Sequence, residues 1–266
     1  NNTKGDDFKP YVLRSNDKGA SWSLISNNLP ENGSVHTLEQ DFVNKNLLFL
    51  GTEFSFFCSV DGGNFWKKLD AGLPDIAVRD IAIQQRENDL VIATFGRGFY
   101  VIDDYSALRD VNEDFFNKEA YIFPIADALM YLETRGRYGQ GSTGYLGDNP
   151  DFGATFSYFL KDVPKTLKKE RLKTEDELFK AGKPIPAATK EQLKAEENQL
   201  DPYLVFAITD ASGDLVKNIY EKPSTGLSRV NWNLRNQGTY PSRRPVKEFS
   251  PFNDGSDGNL AMPGTY

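Results

Sequence analysis

Two stretches of the chain, SNDKGASW at residues 15–22 and SVDGGNFW at residues 59–66, share the pattern S-x-D-x-G-x-x-W. The shared residues are Ser15, Asp17, Gly19 and Trp22 in the first copy and Ser59, Asp61, Gly63 and Trp66 in the second. A catalytic constellation is normally built once, so a duplicated pattern indicates a structural unit. A short acidic side chain beside a glycine is typical of a tight turn in which the glycine takes a positive φ. We therefore predict two equivalent turns whose aspartates have a structural role and bind neither ligand nor metal.

The repeat extends beyond the two turns. Asp17 and Asp61 lie 44 residues apart, and the same interval relates the Leu-Pro pair at residues 29–30 to the pair at residues 73–74. Strand-like segments follow each turn: VHTLEQDF and NLLFLGT in the first copy, VRDIAIQQ and DLVIATF in the second. Repeat periods in the forties with several short strands per copy are typical of β-propeller blades. Residues 1–110 are therefore predicted to form about two blades.

The duplicated pattern resembles the Asp-box, or bacterial neuraminidase repeat, of sialidases, sortilin-type receptors and xyloglucan-degrading glycoside hydrolases. This resemblance implies that each motif is a β-hairpin tip, that its aspartate accepts backbone hydrogen bonds, and that its tryptophan packs between strands. Residues 95–111, FGRGFYVIDDYSALRDV, resemble the C-terminal end of propellers in secreted bacterial proteins classed by similarity as glycosyl hydrolases. The likeness implies an extracellular or cell-surface location and further blades of the same protein as partners.

Residues 111–266 are predicted to form a second domain. Apolar runs of strand length begin at Tyr121, and ASGD at residues 211–214 is a hairpin turn between two of them, as in a β-sandwich. The order of strands resembles the immunoglobulin-like module of flagellar hook-cap proteins, with Gly226, Arg229, Trp232, Leu234 and Arg235 carrying the match. A charged helical hairpin interrupts this module at about residues 164–200, with Thr189 and Gln192 placed as a capping box. The predicted fold is mainly β: a partial propeller followed by an immunoglobulin-like sandwich with a helical insertion.

Composition restricts the function. The net charge of −7 makes nucleic acid an unsuitable partner, and no apolar run approaches the roughly 20 residues that span a bilayer. The single cysteine, Cys58, allows no internal disulfide, and the single histidine, His36, excludes mechanisms that need two imidazoles. The loop NDGSDGN at residues 253–259 lacks the spacing of a calcium loop and is predicted to be a flexible turn. We therefore predict no metal site and no cofactor.

Three residues remain as candidates for ligand binding. Arg97 lies between two glycines, which leave its backbone free to approach another surface, although it is also placed to pair with Asp103 or Asp104. Tyr138 and Tyr145 lie in the glycine-rich stretch at residues 135–147, where their rings could stack on sugars or belong to an ordinary surface loop.

Two functions stay open from the sequence. The first is a non-catalytic role in recognition or assembly, with a glycan or a protein as ligand. The second is membership of a polysaccharide-active glycoside hydrolase whose catalytic carboxylates lie mostly in blades absent from this chain. Such enzymes use two carboxylates about 5 to 9.5 Å apart, and the spacing of the available residues selects no pair among Asp41, Glu53, Asp75 and Asp80. Propellers have typically four to eight blades, so two blades supply at most part of an active site.

Overall fold

The structure is a computed structural model that describes residues 3–70, 72–112, 114–131, 147–239, 252 and 257–266. It is mainly β, with two α-helices in the described part of the chain. The chain divides into two compact units, Asn1–Phe116 and Asn117–Tyr266. The sequence predicts a boundary at residues 110 and 111, whereas the structure divides the chain six residues later, after Phe116.

The first unit consists of short antiparallel strands followed by a 3-10 helix at Tyr105–Asp110. Two strands form a hairpin, four form a second sheet and three form a third: β1 (Leu13–Arg14) and β2 (Ser23–Leu24); β3 (Val35–Gln40), β4 (Leu48–Thr52), β5 (Phe56–Ser59) and β6 (Lys67–Lys68); β7 (Val78–Gln84), β8 (Asp89–Thr94) and β9 (Phe99–Ile102). All four segments predicted as strands between and after the two turns are therefore confirmed as β3, β4, β7 and β8.

The internal repeat is visible in the strand register. Leu13 lies opposite Leu24 in the hairpin, and 44 residues later Phe57 lies opposite Lys68. The inner strands repeat at a shorter interval, since the register of β3 shifts after Val35 and that of β7 shifts after Val78, 43 residues on. The interval shortens because the connection from β6 to β7 has one residue fewer than the connection from β2 to β3.

One core of the first unit lies between the four-stranded and three-stranded sheets, and a second lies between the four-stranded sheet and residues 12–29. β4 and β5 are buried along their whole length, which explains why their sequences, LFLGT and FFCS, are almost continuously apolar. Gly51 allows the sheets to approach, because a Cβ there would lie 2.6 Å from Val78 Cγ1 and 2.7 Å from Thr37 Cγ2. Cys58 belongs to this core at 4% exposure, and its burial raises the pKa of its thiol to about 12.

The second unit contains three small antiparallel sheets and a helical hairpin. In chain order its elements are β10 (Ala120–Ile122), β11 (Ala154–Leu160), α1 (Leu167–Lys180), α2 (Lys190–Asn198), β12 (Leu204–Thr209), β13 (Leu215–Glu221), β14 (Gly226–Trp232), β15 (Arg235–Gln237) and β16 (Asp257–Leu260). The sheet orders are β10-β11-β14, β12-β13 and β15-β16. Side chains of the first two sheets form one core, made chiefly of Phe156, Tyr158, Phe206, Ile219, Val230 and Trp232.

The local structure of the second unit agrees with the predictions from the sequence at a helix start and a turn, but differs from them at one loop. Thr189 and Gln192 form the predicted capping box at the start of α2. The predicted turn between β12 and β13 is also present, where the Asp210 carboxylate accepts hydrogen bonds from two backbone N–H groups of the loop. The prediction of a flexible turn at residues 253–259 is wrong for residues 257–259, which belong to β16. Lys217 Nζ lies 2.6 Å from Asp257 Oδ1 and holds this strand in place, whereas residues 253–256 lie outside the described residues.

Candidate functional site

The first of the two turns is closed by its serine and its aspartate. Ser15 Oγ donates to Asp17 Oδ1 at 2.8 Å and accepts from the Gly19 backbone N–H at 2.7 Å. The Asp17 carboxylate also accepts from the backbone N–H and the hydroxyl of Ser21, at 2.8 and 2.6 Å. These hydrogen bonds, the Ser21 hydroxyl first, lower the pKa of Asp17 to about 2. Gly19 has a φ of 94°, a conformation that favours glycine.

The second turn repeats this arrangement. Ser59 Oγ donates to Asp61 Oδ1 at 2.7 Å and accepts from the Gly63 backbone N–H at 2.8 Å. Asp61 Oδ1 then accepts from the backbone N–H groups of Asn64 and Phe65, both at 3.0 Å. Gly63 has a φ of 90°, close to that of its counterpart. Each carboxylate is thus engaged by its own turn.

The two tryptophans, by contrast, have different surroundings. Trp66 is 2% exposed, and its indole donates to the Ile25 carbonyl at 2.6 Å. The Asn28 side chain bonds both the N–H and the carbonyl of Trp66, at 2.8 and 2.7 Å. Trp22 is 62% exposed, so the expectation that the tryptophan packs between strands is wrong for the first copy. The two exposures differ because residues 12–29 cover Trp66, whereas no equivalent segment among the described residues covers Trp22.

Asp41, one of the four carboxylates considered for catalysis, is a buried structural anchor. It accepts from Tyr105 Oη at 2.6 Å and from Arg109 Nη2 at 2.8 Å, and its side chain has no exposed surface. Burial opposes ionisation of Asp41, but the hydrogen bonds from Arg109, the Asn44 backbone and Tyr105 outweigh it and lower the pKa. Burial, and then the hydrogen bond to the same carboxylate, raise the pKa of Tyr105. Asp75, a second candidate, forms an exposed ion pair with Lys68.

A different set of residues forms the best candidate site, which we call the loop cluster: His36, Glu53, Phe54, Arg79 and Phe95. The Arg79 guanidinium lies 3.2 Å from His36 Nε2, and its Cζ atom lies 5.2 Å from the centre of the Phe95 ring. Phe54 is 54% exposed and Phe95 is 67% exposed. Partial burial and the nearby Arg79 lower the pKa of His36, while Glu53 opposes this shift.

The repeat explains why these side chains share one end of the sheets. Glu53 and Phe95 begin the β4–β5 and β8–β9 loops, and both loops are fixed in the same way. The Glu53 N–H donates to the Ser34 carbonyl at 3.0 Å, and the Phe95 N–H donates to the Ala77 carbonyl at 2.9 Å. Because β7 lies against β3, Arg79 of β7 reaches His36 of β3. The cluster combines exposed aromatic rings, a guanidinium and an imidazole, which can stack on a flat ligand and hydrogen-bond to it.

Sequence reasoning singled out Glu53, as a candidate carboxylate, within this cluster and Arg97, as a candidate ligand-binding residue, beside it. Arg97 follows Phe95 by two residues in the β8–β9 loop, between Gly96 and Gly98, whose φ values are 80° and 71°. It is exposed and forms no ion pair with a described residue, so the expected pairing with Asp103 or Asp104 is absent. Tyr138 and Tyr145 lie outside the described residues.

Within the described residues, no group of three or more His, Cys, Asp or Glu side chains is placed to hold a metal ion. The described helices are also too short or too polar for any of them to cross a membrane.

Comparison with known proteins gives a partial likeness to solved structures. No protein-family model matches the chain, and no curated protein matches it. Among solved structures, the crystal structure of an ancestral GH74 enzyme is similar to part of the chain, at 24% identity and a TM-score of 0.29. The match covers 33% of this chain and 11% of that enzyme's chain.

Proposed function

We propose that the first unit is a section of an Asp-box β-propeller, with β3–β6 and β7–β9 as successive blades and β1–β2 as the outer strands of another blade. The matching hydrogen bonds of the two turns and the 44-residue register of the two hairpins support this. On this proposal the second unit is an immunoglobulin-like sandwich with a helical insertion, supported by the core that its two main sheets share.

The two ends of the section support further blades as its partners. Trp22, at one end, is exposed, whereas its counterpart Trp66 is buried by the neighbouring hairpin. At the other end, Phe99 of β9 is 75% exposed, whereas its counterpart Phe56 of β5 is buried beneath the next sheet. A stacked array covers such faces with neighbouring repeats.

The function that the geometry favours is non-catalytic recognition of a glycan by the loop cluster, in an extracellular or cell-surface protein. One observation carries this proposal: Arg79 is held between the His36 imidazole and the Phe95 ring, with Phe54 exposed on the equivalent loop. Aromatic rings stack on the apolar faces of sugars, and a guanidinium fork donates hydrogen bonds to hydroxyl or carboxylate oxygens. Of the four carboxylates considered for hydrolysis, Asp41 is buried and paired, Asp75 is paired, and Asp80 accepts from Thr37 and the Ile81 N–H. Glu53 is thus the one of the four that belongs to the loop cluster, whereas hydrolysis of glycosides uses a pair. This favours binding over turnover.

An array of neutral and acidic saccharides, probed with the whole chain, tests this function. The variants F95A and R79A are expected to weaken binding about tenfold or more, because each removes a direct contact. F65A is the matched control, since Phe65 is also an exposed aromatic residue, at 57%, but lies in the second turn. Absence of glycan binding, or an equal loss in F65A and F95A, would contradict the proposal. Release of reducing sugar by the chain would instead support the hydrolase.

A further inference from the structure

The edge strand β9 has a counterpart in the first unit, β5, whose other edge is paired with a further strand. β5 and β9 are the third strands of their sheets and pair with their neighbours in the same register: Phe56 lies opposite Gly51, and Phe99 lies opposite Ala93. The other edge of β5 carries β6. Among the described residues, no strand pairs with the other edge of β9.

Hydrogen bonds identify the backbone groups that face this edge. In β5 the Phe56 carbonyl accepts from Leu69 N–H at 3.0 Å, whereas the carbonyl of the preceding residue, Ser55, accepts from Thr52 on the opposite side. Consecutive residues of a strand direct their backbone groups to opposite sides, so Phe56 and Cys58 face β6.

The same alternation applies to β9. The Gly98 carbonyl accepts from Thr94 N–H at 3.0 Å, on the side of β8. Phe99 and Val101 therefore direct their N–H and carbonyl groups to the open edge. Val101 is 53% exposed, against 4% for its counterpart Cys58. Open strand edges with apolar side chains are sites where natural proteins add another strand, and no described strand pairs with this edge.

The molecule also shows the side-chain pattern of the strand that fits. β6 and its continuation read Lys67-Lys68-Leu69, and β2 and its continuation read Ser23-Leu24-Ile25. In both, two exposed residues precede an aliphatic residue that packs into a core. The aliphatic residue is also the one whose N–H bonds the neighbouring segment, since Leu69 donates to Phe56 of β5 and Ile25 donates to Val12, the residue before β1.

We propose that β9 accepts an antiparallel strand with this pattern, two exposed residues followed by an aliphatic one, supplied by another repeat of the same polypeptide. The aliphatic residue lies opposite Phe99, and its N–H bonds the Phe99 carbonyl. This inference rests on the proposed propeller section and names the contact by which the section joins the rest of the array.

A labelled peptide with the sequence of residues 65–73, FWKKLDAGL, tests the edge. Fluorescence anisotropy with the whole chain is expected to show saturable binding, about tenfold weaker for the peptide in which Leu69→Asp is made. The chain variant V101P removes one outward N–H and is expected to weaken binding about tenfold, whereas V101T keeps that N–H and retains binding. Equal binding by V101P and V101T would overturn the proposal, because the peptide would then occupy another edge, such as that of β5.

Hydrogen exchange gives a second measurement that needs no variant. Peptide binding is expected to slow exchange of the Phe99 and Val101 amides and to leave Tyr100 unchanged, since Tyr100 already faces β8. Self-association of the chain that V101P abolishes would mean that a second copy occupies the edge, contrary to the proposal. The glycan assay with F95A is independent of both measurements, so failure of the edge and failure of the glycan site can be told apart.

Discussion

The two turns of the first unit share the hydrogen bonds of their serine but have different energetic roles. In both, the serine hydroxyl bridges the aspartate and the glycine N–H, at distances that agree within 0.1 Å. Trp66 is nonetheless buried and Trp22 is exposed. The difference shows that eight residues determine the conformation of a turn, while the neighbouring segment determines how much apolar surface its tryptophan buries.

Removing each tryptophan gives the largest expected contrast. W66A removes a buried indole and its hydrogen bond to Ile25, so we expect it to lower the free energy of unfolding by about 3–5 kcal/mol. W22A is expected to change it by less than about 0.5 kcal/mol, because the side chain is mostly exposed. Urea unfolding followed by far-UV circular dichroism measures both. Similar losses in the two variants would mean that Trp22 is covered in solution.

A second contrast concerns Asp41, the first residue of the β3–β4 loop, and its counterpart Gln84, the last residue of β7. Asp41 and Gln84 each accept a backbone N–H three residues on, from Asn44 at 2.6 Å and Glu87 at 2.7 Å, but only Asp41 is buried with an arginine. D41A leaves Arg109 without its ion-pair partner and is expected to cost about 3 kcal/mol, whereas Q84A is expected to cost about 1 kcal/mol or less. Thermal unfolding of both variants checks this, and a smaller loss for D41A than for Q84A would refute the structural role of Asp41.

The two glycines provide a smaller contrast. A Cβ at residue 63 would lie 2.6 Å from Ile25 Cδ1, while a Cβ at residue 19 would meet nothing closer than Trp22 at 3.8 Å. G19A is therefore expected to cost about 1 kcal/mol from its positive φ alone. G63A adds the clash and is expected to cost about 2–3 kcal/mol. Equal urea midpoints for the two variants would show that the hairpin carrying Ile25 does not pack as described.

Acid gives the smallest expected effect. The folded-state pKa of Asp17, about 2, lies below its ordinary value of 3.8. Its ionised form therefore stabilises the turn above pH 4, and this contribution is lost as the pH falls from about 4 towards 2. D17N is expected to unfold at lower urea than the unmodified chain at pH 6 and at a similar urea concentration at pH 2. A constant difference across this range would exclude ionisation of Asp17 as the cause.

The sequence predicted the local features of this molecule better than its contacts. The S-x-D-x-G-x-x-W spacing predicted the turns because their hydrogen bonds are made within the motif. Thr189 and Gln192 predicted a helix start for the same reason. The exposure of Trp22 and the His36–Arg79 contact depend on which strands lie side by side, and 43 residues separate the latter pair. A comparison of Glu53 with Phe95 along the repeat would have located the loop cluster, since both begin equivalent loops.

The buried thiol of Cys58 can report on local opening of the first unit. As the sole cysteine of the chain, with a pKa of about 12, it reacts with alkylating reagents only when the strands around it separate. The rate at which Cys58 is alkylated in native buffer therefore measures how often the interior of this unit becomes accessible, without a substitution to introduce a cysteine. Any ligand or added strand that stabilises the two sheets slows alkylation of Cys58, and mass spectrometry measures the change at a single sulfur atom.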